Sequence, residues 1–178
     1  MLIRLGVCAL MGGARLAELA WSRRNMALSG EKVEGPWSHG TYPGIVGLHT
    51  AVIVGTALFG GRARWGRLAL LLAVQPVRVW VLMTLRERWN VRGAVPTEME
   101  VATTGPYAYV RHPNYAVVAV ELAALPLAFG MPGLAVVGSL ANAALLAARI
   151  PEEEAALARL PGWNEHFGSK RRFIPGVW

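Results

Sequence analysis

Charge and cysteine are both scarce in this chain. Asp, Glu, Lys and Arg together make up 16% of its 178 residues, against about 25% in soluble domains. So few charges cannot cover a water-facing surface, which excludes an ordinary soluble domain and leaves the bilayer as the natural solvent. Lysine is nearly missing, with two lysines beside sixteen arginines. Together with abundant Ala, Gly, Val and Leu, that bias points to a GC-rich bacterial gene. The one cysteine, Cys8, lies in an apolar run. Alone it forms no internal disulfide and no thiolate metal cluster, so it reads as a small packing residue. No metal site stands out elsewhere. Internal repeats, low-complexity tracts and long linkers are also lacking, as is the pair of close glycines after a strand that marks a dinucleotide fold.

What is present is hydrophobic sequence: 54% of residues, with a mean hydropathy of +0.37. The length allows one domain, residues 1–178. A lone span needs about 20 apolar residues, and five candidates occur: Leu2–Ala20, Pro43–Gly60, Gly66–Leu85, Pro113–Phe129 and Pro132–Ile150. Leu2–Ala20 resembles a secretory leader, but Arg15 and Glu18 interrupt it and the rest of the chain is equally membrane-like, so a retained span is expected. Gly130-Met131-Pro132 is so short a joint that the last two runs must form an antiparallel helical hairpin. Between the third and fourth runs, Trp89–His112 reads as an irregular connector. Pro151 followed by Glu152-Glu153-Glu154 predicts the start of a new polar helix. The expected fold is therefore all-α: a polytopic integral membrane protein of about five spans, three of them in residues 1–90, with a C-terminal helical tail.

The net charge of +7 is distributed as loops beside a membrane require, not along one soluble face, so no nucleic-acid partner is expected. One set of loops carries Arg23, Arg24, Lys32, Arg86, Arg88, Arg92, Arg111, Arg149, Arg159, Lys170, Arg171 and Arg172. The other carries only Arg4, Arg62, Arg64 and Arg67. The positive-inside rule then puts the connector and C-terminus in the cytoplasm and the N-terminus outside, in a bacterial inner membrane.

Within the spans, polar residues recur at helical spacing. Arg15, Glu18, Ser22 and Asn25 share a face, as do Gln75, Arg78, Leu82, Arg86 and Trp89. Ser139, Asn142 and Arg149 repeat the pattern, His49 pairs with Thr56, and Glu121 sits about two turns into the fourth run. Such groups are costly in a bilayer and turn toward a bundle interior. They can serve as interhelical ties, Arg15 with Glu18 or Arg78 with Glu121, or together they can line a polar cavity. Several stripes at once favour the cavity.

The richest segment is Gly105-Pro106-Tyr107-Ala108-Tyr109-Val110-Arg111-His112-Pro113-Asn114-Tyr115. Gly-Pro makes a turn, Pro113 suits a first helical position, and the free N–H groups there can meet an anion. Arg111 and His112 add positive or donor character, and the tyrosines add flat faces. Such a set can hold an amino-acid carboxylate and stack a purine, though an interfacial turn with belt tyrosines would look the same. Glu152, Glu153 and Glu154 lie on the same side. Their carboxylates can hold hydroxyl or ammonium groups, or simply complement a helix dipole. Trp163, His166 and Phe167 can fold back as a lid or anchor the tail at the interface.

The stretch Gly105–Tyr115, with Arg-His-Pro-x-Tyr at its core, resembles the signature of the isoprenylcysteine carboxyl methyltransferase family. So do Glu153-Glu154-Ala-Ala-Leu157, the aromatic tail and Lys170-Arg171-Arg172, and, before the connector, Gln75, Arg78 and Trp80. The resemblance covers roughly residues 70–178. The N-terminal part, with Arg15-Leu16-Ala17-Glu18-Leu19, Ser22, Arg24, Asn25, Tyr42-Pro43 and His49, is similar to a bacterial branch that methylates hydroxyls of alkylpyrones or alkylresorcinols. The tail departs from the pattern in carrying Trp163 and Phe167 where relatives often have Tyr. The resemblance implies an S-adenosylmethionine pocket in residues 91–178, with S-adenosylhomocysteine as product. By motif position its cofactor-binding residues are Gln75, Tyr107, Val110, Arg111, His112, Pro113, Tyr115, Glu153 and Glu154.

A sulfonium already activates its methyl group, so alignment and exclusion of water are the protein's main tasks. The acceptor is expected to be a lipophilic small molecule or a prenylated substrate, reached from the surrounding membrane lipids and methylated on a carboxylate or hydroxyl oxygen. Arg78 is the candidate to orient an acceptor anion, and Glu121 or His49 to accept a proton. Two other classes stay open: an NADPH-dependent sterol-type reductase of related fold, and a transporter or adaptor using the same buried charges. The residues fix neither the acceptor nor the oligomeric state.

Overall fold

A computed structural model describes residues 1–28, 32–33, 37–96 and 99–175. Its main helices are α1 (Leu2–Leu28), α2 (Trp37–Phe59), α3 (Trp65–Leu85), α4 (Pro113–Ala128) and α5 (Pro132–Leu157), with a short α6 (Trp163–Phe167) in the tail. The connector holds two 3-10 turns, Arg86–Arg88 and Gly105–Ala108. It also supplies strand β2 (Val95–Pro96), which pairs antiparallel with β1 (Lys32–Val33), Val33 opposite Val95. This small ribbon is an addition to the expected all-helical architecture; residues 97–98 of the connector lie outside those described.

Three helical stretches are long and apolar enough to cross a membrane, Thr41–Phe59, Trp65–Arg88 and Pro132–Leu157. α4 is apolar but has 16 residues, about 24 Å of helix, and α1 carries Arg4, Arg15 and Glu18 within its length. Exposure is inverted relative to a soluble protein. Leu16 is 68% exposed and Leu140 67%, while Arg78 is 4% and Arg149 3%. An apolar exterior around a charged interior is the arrangement that hydrocarbon solvent requires.

α3 packs on α4, α4 on α5, α5 on α2, and α2 on α1 and α4. Pro113 and Pro132 each occupy the first turn of their helix, where a missing N–H costs nothing. Gly130, at φ +76°, makes the tight corner of the α4–α5 hairpin. Pro43 and Pro76 lie inside α2 and α3 without ending them. Pro151 likewise does not begin a new helix: α5 continues through it to Leu157. Each proline forgoes one backbone bond, a loss that packing against neighbouring helices outweighs. Asn142, Arg149, Glu153 and Glu154 therefore ride on one helix.

Two apolar clusters bracket the interior. Cys8, Met11, Val52, Leu71, Val118, Leu122 and Phe129 form one between α1, α2, α3 and α4. Val95, Ala156, Leu160, Trp163 and Phe167 form the other between connector and tail. The connector is seated on α3 at Gly105, whose φ is +57° and whose missing Cβ would stand 2.5 Å from Thr84 Oγ1 and 3.2 Å from Trp80 Nε1. Gly105→Ala adds a left-handed backbone penalty of about 1–2 kcal/mol to that clash. In detergent its thermal midpoint is expected to fall by about 2–8 °C. Gly133→Ala, whose Cβ meets nothing within 4 Å, should leave the midpoint unchanged.

Candidate functional site

Four buried or half-buried charges tie α1, α3 and α4 together. Glu18 Oε2 accepts from Arg15 Nη1 and from Arg78 Nη2, each at 2.7 Å, and its Oε1 accepts from Arg78 Nε at 3.0 Å. Arg15 Nη2 also donates to Glu121 Oε2 at 2.6 Å, and Gln75 Nε2 to Glu121 Oε1 at 3.0 Å. Arg78 Nη1 donates to Asn114 Oδ1. Arg15 thus meets Glu18 as expected, but Arg78 takes Glu18 and not Glu121. The reason is depth. α4 runs antiparallel to α3, so Glu121 lies about 10 Å along the helix from Asn114, level with Gln75 and Arg15, while Asn114 is level with Arg78. Each guanidinium is matched by a carboxylate, as buried ions require.

Below this network α1 grips the start of the connector. Asn25 Nδ2 donates to the Arg86 and Trp89 carbonyls at 2.9 and 2.8 Å, and Ser22 Oγ accepts from Val91 N–H at 2.9 Å. The Arg78 guanidinium lies over the Trp89 ring, 5.5 Å from its centroid. The polar face of α1 consequently both fixes the charges and orders the backbone that leads into the connector.

The motif segment and the tail form a second cluster. Arg111 Nε donates to the Phe167 and Lys170 carbonyls at 3.0 and 2.9 Å, and Nη2 to Gly168 O at 3.0 Å. The backbone N–H groups of Arg111 and His112 donate to Arg171 O and Arg172 O at 2.9 and 2.8 Å. Glu154 meets His112 Nε2 at 3.1 Å and accepts from Arg172 Nε and Nη2 at 3.1 and 2.7 Å. Glu153 accepts from the Tyr115 hydroxyl, which in turn accepts from Arg149 Nε at 2.8 Å. His112 and Tyr115 stack with centroids 5.3 Å apart. Burial, and after it the Glu153 charge, pushes the Tyr107 phenol up, so Tyr107 stays protonated as a donor.

Both clusters face one cavity of about 450 Å³, within the range of about 300–1,000 Å³ typical of ligand sites. One end is built by connector, motif and tail, with Met99, Val101, Tyr107, His112, Tyr115, Glu153, Trp163 and Phe167 on its wall. The other runs between α1 and α2, past Gly12, Leu16, Val46, Ile53 and Val54, and includes His49. Arg15, Glu18, Arg78, Asn114, Asn142 and Arg149 lie on the wall as well. Of the residues selected from sequence, Arg78, His49, Tyr107, Arg111, His112, Tyr115 and Glu153 line this space. Gln75, Glu121, Val110, Pro113 and Glu154 stand behind the wall; Gln75 and Glu121 brace the charge network, and Glu154 holds His112 and the tail. Sequence reasoning gave no site role to Asn114, the variable position of Arg-His-Pro-x-Tyr, nor to Arg172, noted only within Lys170-Arg171-Arg172. Asn114 was recoverable from its place inside the motif. Arg172 was not, since nothing local shows that the tail returns to Glu154. Among the described residues no group of His, Cys or Glu is placed to hold a metal ion.

A helical bundle with an apolar exterior and an internal cavity, lined at one end by connector and tail and at the other by α1 and α2, is an integral membrane protein built around a binding site. The chain belongs to the isoprenylcysteine carboxyl methyltransferase family, whose pattern matches residues 67–159, and it is accordingly a membrane methyltransferase. It is 33% identical over 150 residues to the uncharacterized protein YpbQ of Bacillus subtilis (strain 168), covering 80% of this chain and 89% of that protein. It is also 33% identical over 94 residues to an uncharacterized protein of Haemophilus influenzae, covering 52% of this chain and 55% of that one.

The Glu154 junction gives a direct test of how the tail is held. Glu154→Gln removes the charge that Arg172 and His112 share. Losing one charge-assisted interaction costs about 1.5–3 kcal/mol, so tryptic cleavage at Lys170–Arg172 in detergent should speed up by roughly tenfold or more. An unchanged cleavage rate would show that Arg111 and the backbone bonds hold the tail alone.

Proposed function

We propose that the protein uses S-adenosylmethionine to methylate an oxygen of a lipophilic acceptor at the cytoplasmic side of a bacterial inner membrane, in a five-span arrangement with the N-terminus outside. The observation that carries this reading is the two-ended cavity. One end offers carboxylate, imidazole and aromatic groups beside a basic connector, and the other is apolar and bounded by Leu16, Val46 and Val54, which are themselves exposed on the bundle's flank. A water-soluble donor and a lipid-soluble acceptor would thus approach from opposite sides.

The residues present fit the donor's chemistry. Glu153 would accept from ribose hydroxyls or an ammonium group, Tyr107, Trp163 and Phe167 offer flat faces for adenine, and at the same end Arg111 adds positive charge and His112 a ring nitrogen. When bound, S-adenosylmethionine supplies a methyl group already activated by its sulfonium. What this chain adds is position and dryness. α6 and the Arg111-bound carbonyls close the cytoplasmic end, and the connector backbone, fixed by Asn25 and Ser22, sets the register of that end against Arg78 and Asn114. The matched charges at the centre give a polar surface of little net charge, against which an acceptor headgroup can be oriented.

Calorimetric titration of the purified protein in micelles tests this reading. S-adenosylhomocysteine is expected to bind, NADPH is not, and Glu153→Ala or His112→Ala should weaken the former about tenfold or more, or at least 1.4 kcal/mol. Binding of NADPH alone would move the protein to the reductases, and binding of neither would favour a transporter or adaptor.

A further inference from the structure

The end of the bundle opposite the connector carries cations without anions. α1, α3 and α5 begin there, and α2 and α4 end there. Arg4 stands in the first turn of α1, Arg62 and Arg64 in the α2–α3 corner, and Arg67 in the first turn of α3. Every acidic residue of the chain is a glutamate, and none occurs in residues 1–17, 35–86 or 122–151. Glu121 lies about 9 Å along α4 from Leu127, and both its oxygens already accept from Arg15 and Gln75. Among the described residues none of these four arginines is ion-paired with a carboxylate.

The arginines are gathered about one corner. Gly61 N–H donates to Phe129 O at 2.7 Å and Arg64 N–H to Ala128 O at 2.8 Å, which joins the α2–α3 corner to the α4–α5 corner through backbone. Arg67 Nη1 donates to Leu127 O at 3.4 Å. A Cβ on Gly130 would stand 3.4 Å from Arg64 Nε and Nη2, so that guanidinium lies on bare backbone. A Cβ on Gly60 would stand 2.8 Å from Arg4 Cδ and 2.9 Å from Phe129 Cβ, which places the Arg4 stem at the same corner. Arg4 Nε is buried there without a hydrogen-bond partner. The carbonyls of Leu127, Ala128 and Phe129 are thus taken, and what is left over is donors. They are Arg4 Nε, the exposed Arg62 and Arg64, and the first turns of α3 and α5, neither of which has a side-chain cap. Surplus donors at positive helix ends call for an anionic acceptor.

Depth selects the source of that anion. One apolar helical stretch ends at Phe59 and the next begins at Trp65, so the arginines stand where hydrocarbon gives way to headgroups. Phe59 is 75% exposed and Trp65 68%, and aromatic side chains favour that level of a bilayer. We infer that this end of the bundle binds the phosphodiester of a phospholipid of net negative charge. The phosphate meets Arg4, Arg64 and Arg67 across the corner at residues 127–130, and the acyl chains run down the flank beside Phe59 and Trp65. A headgroup with its own ammonium would bring a further cation into the patch, so phosphatidylglycerol fits it and phosphatidylcholine fits it less well. A lipid held there ties α1 and the α2–α3 corner to the α4–α5 hairpin, at the far end from connector and tail.

The test reconstitutes the full chain in phosphatidylcholine vesicles and titrates in lipids with brominated chains, which quench a neighbouring indole. Trp65 emission is read as the difference between each protein and its W65F counterpart. Phosphatidylglycerol is expected to associate at Trp65 about fivefold or more strongly than phosphatidylcholine, since each arginine near a lipid phosphate contributes about that factor. The preference should shrink as ionic strength rises. R64Q/R67Q should bring the ratio to about one, while R64K/R67K, which keeps the charge, should keep a preference. R23Q/R24Q, at the connector end, should leave the ratio unchanged. Inorganic phosphate added at constant ionic strength should not compete. A wild-type ratio near one, or a preference undiminished in R64Q/R67Q, overturns the inference. So does loss of the preference to inorganic phosphate, which would make this a site for a soluble anion.

Discussion

Glu18 accepts from two arginines on two helices, and most of the interior follows from that arrangement. Its carboxylate lies on α1, away from the family pattern, yet it fixes Arg78, which in turn reaches Asn114 at the first turn of α4. Arg15 carries the connection on to Glu121 and Gln75. In a low-dielectric interior such ions persist only when each has its partner. The network therefore holds α1, α3 and α4 in one relative depth, since sliding any helix by a turn would strand a charge. Long side chains spanning between α1 and α3 also keep those helices from closing on each other, and the cavity occupies the space so kept.

From that fixed centre the two ends acquire their different characters. Toward the connector, α1 continues with Ser22 and Asn25 binding backbone, so the segment leading to the Arg-His-Pro-Asn-Tyr motif is ordered by side chains some sixty to seventy residues earlier in the chain. The tail is added to this by Arg111 and Glu154, which bind carbonyls and a guanidinium rather than standing free. Toward the bilayer the wall is mainly aliphatic, and among the described residues no comparable interhelical ties line it. The bundle thus offers a built, closable end and a smooth end. That asymmetry, more than any single residue, supports a reaction between a soluble donor and a lipid.

Much of this was legible in the sequence, and for a physical reason. Polar residues inside apolar runs have few permitted places, so the spacing of Arg15, Glu18, Ser22 and Asn25 shows a shared inward face directly. Pro113 and Pro132 announce helix starts, and Gly130 announces the hairpin. Less legible was the pairing, because which carboxylate meets Arg78 depends on the relative depth of antiparallel helices, and periodicity along one helix carries no information about depth on another. The continuation of α5 through Pro151 was hidden because a proline's local cost was outweighed by packing. The tail's use of main-chain carbonyls as partners for Arg111 leaves no trace in side-chain pattern at all. The motif resemblance indicated which residues belong together at the connector end, while the links from Arg15 and Glu18 to α3 and α4 had to come from the folded arrangement.

The central claim is transfer of a methyl group from a soluble donor to a lipid inside this cavity. Its most direct test is to incubate the purified protein with methyl-labelled S-adenosylmethionine and a total lipid extract of bacterial membranes, then partition the mixture between water and organic solvent. The account predicts label in an organic-soluble product, formed by wild type and lost in Arg78→Ala, which leaves Glu18 without its bidentate partner. Label that stays wholly in water, or lipid labelling that persists unchanged in Arg78→Ala, would contradict it.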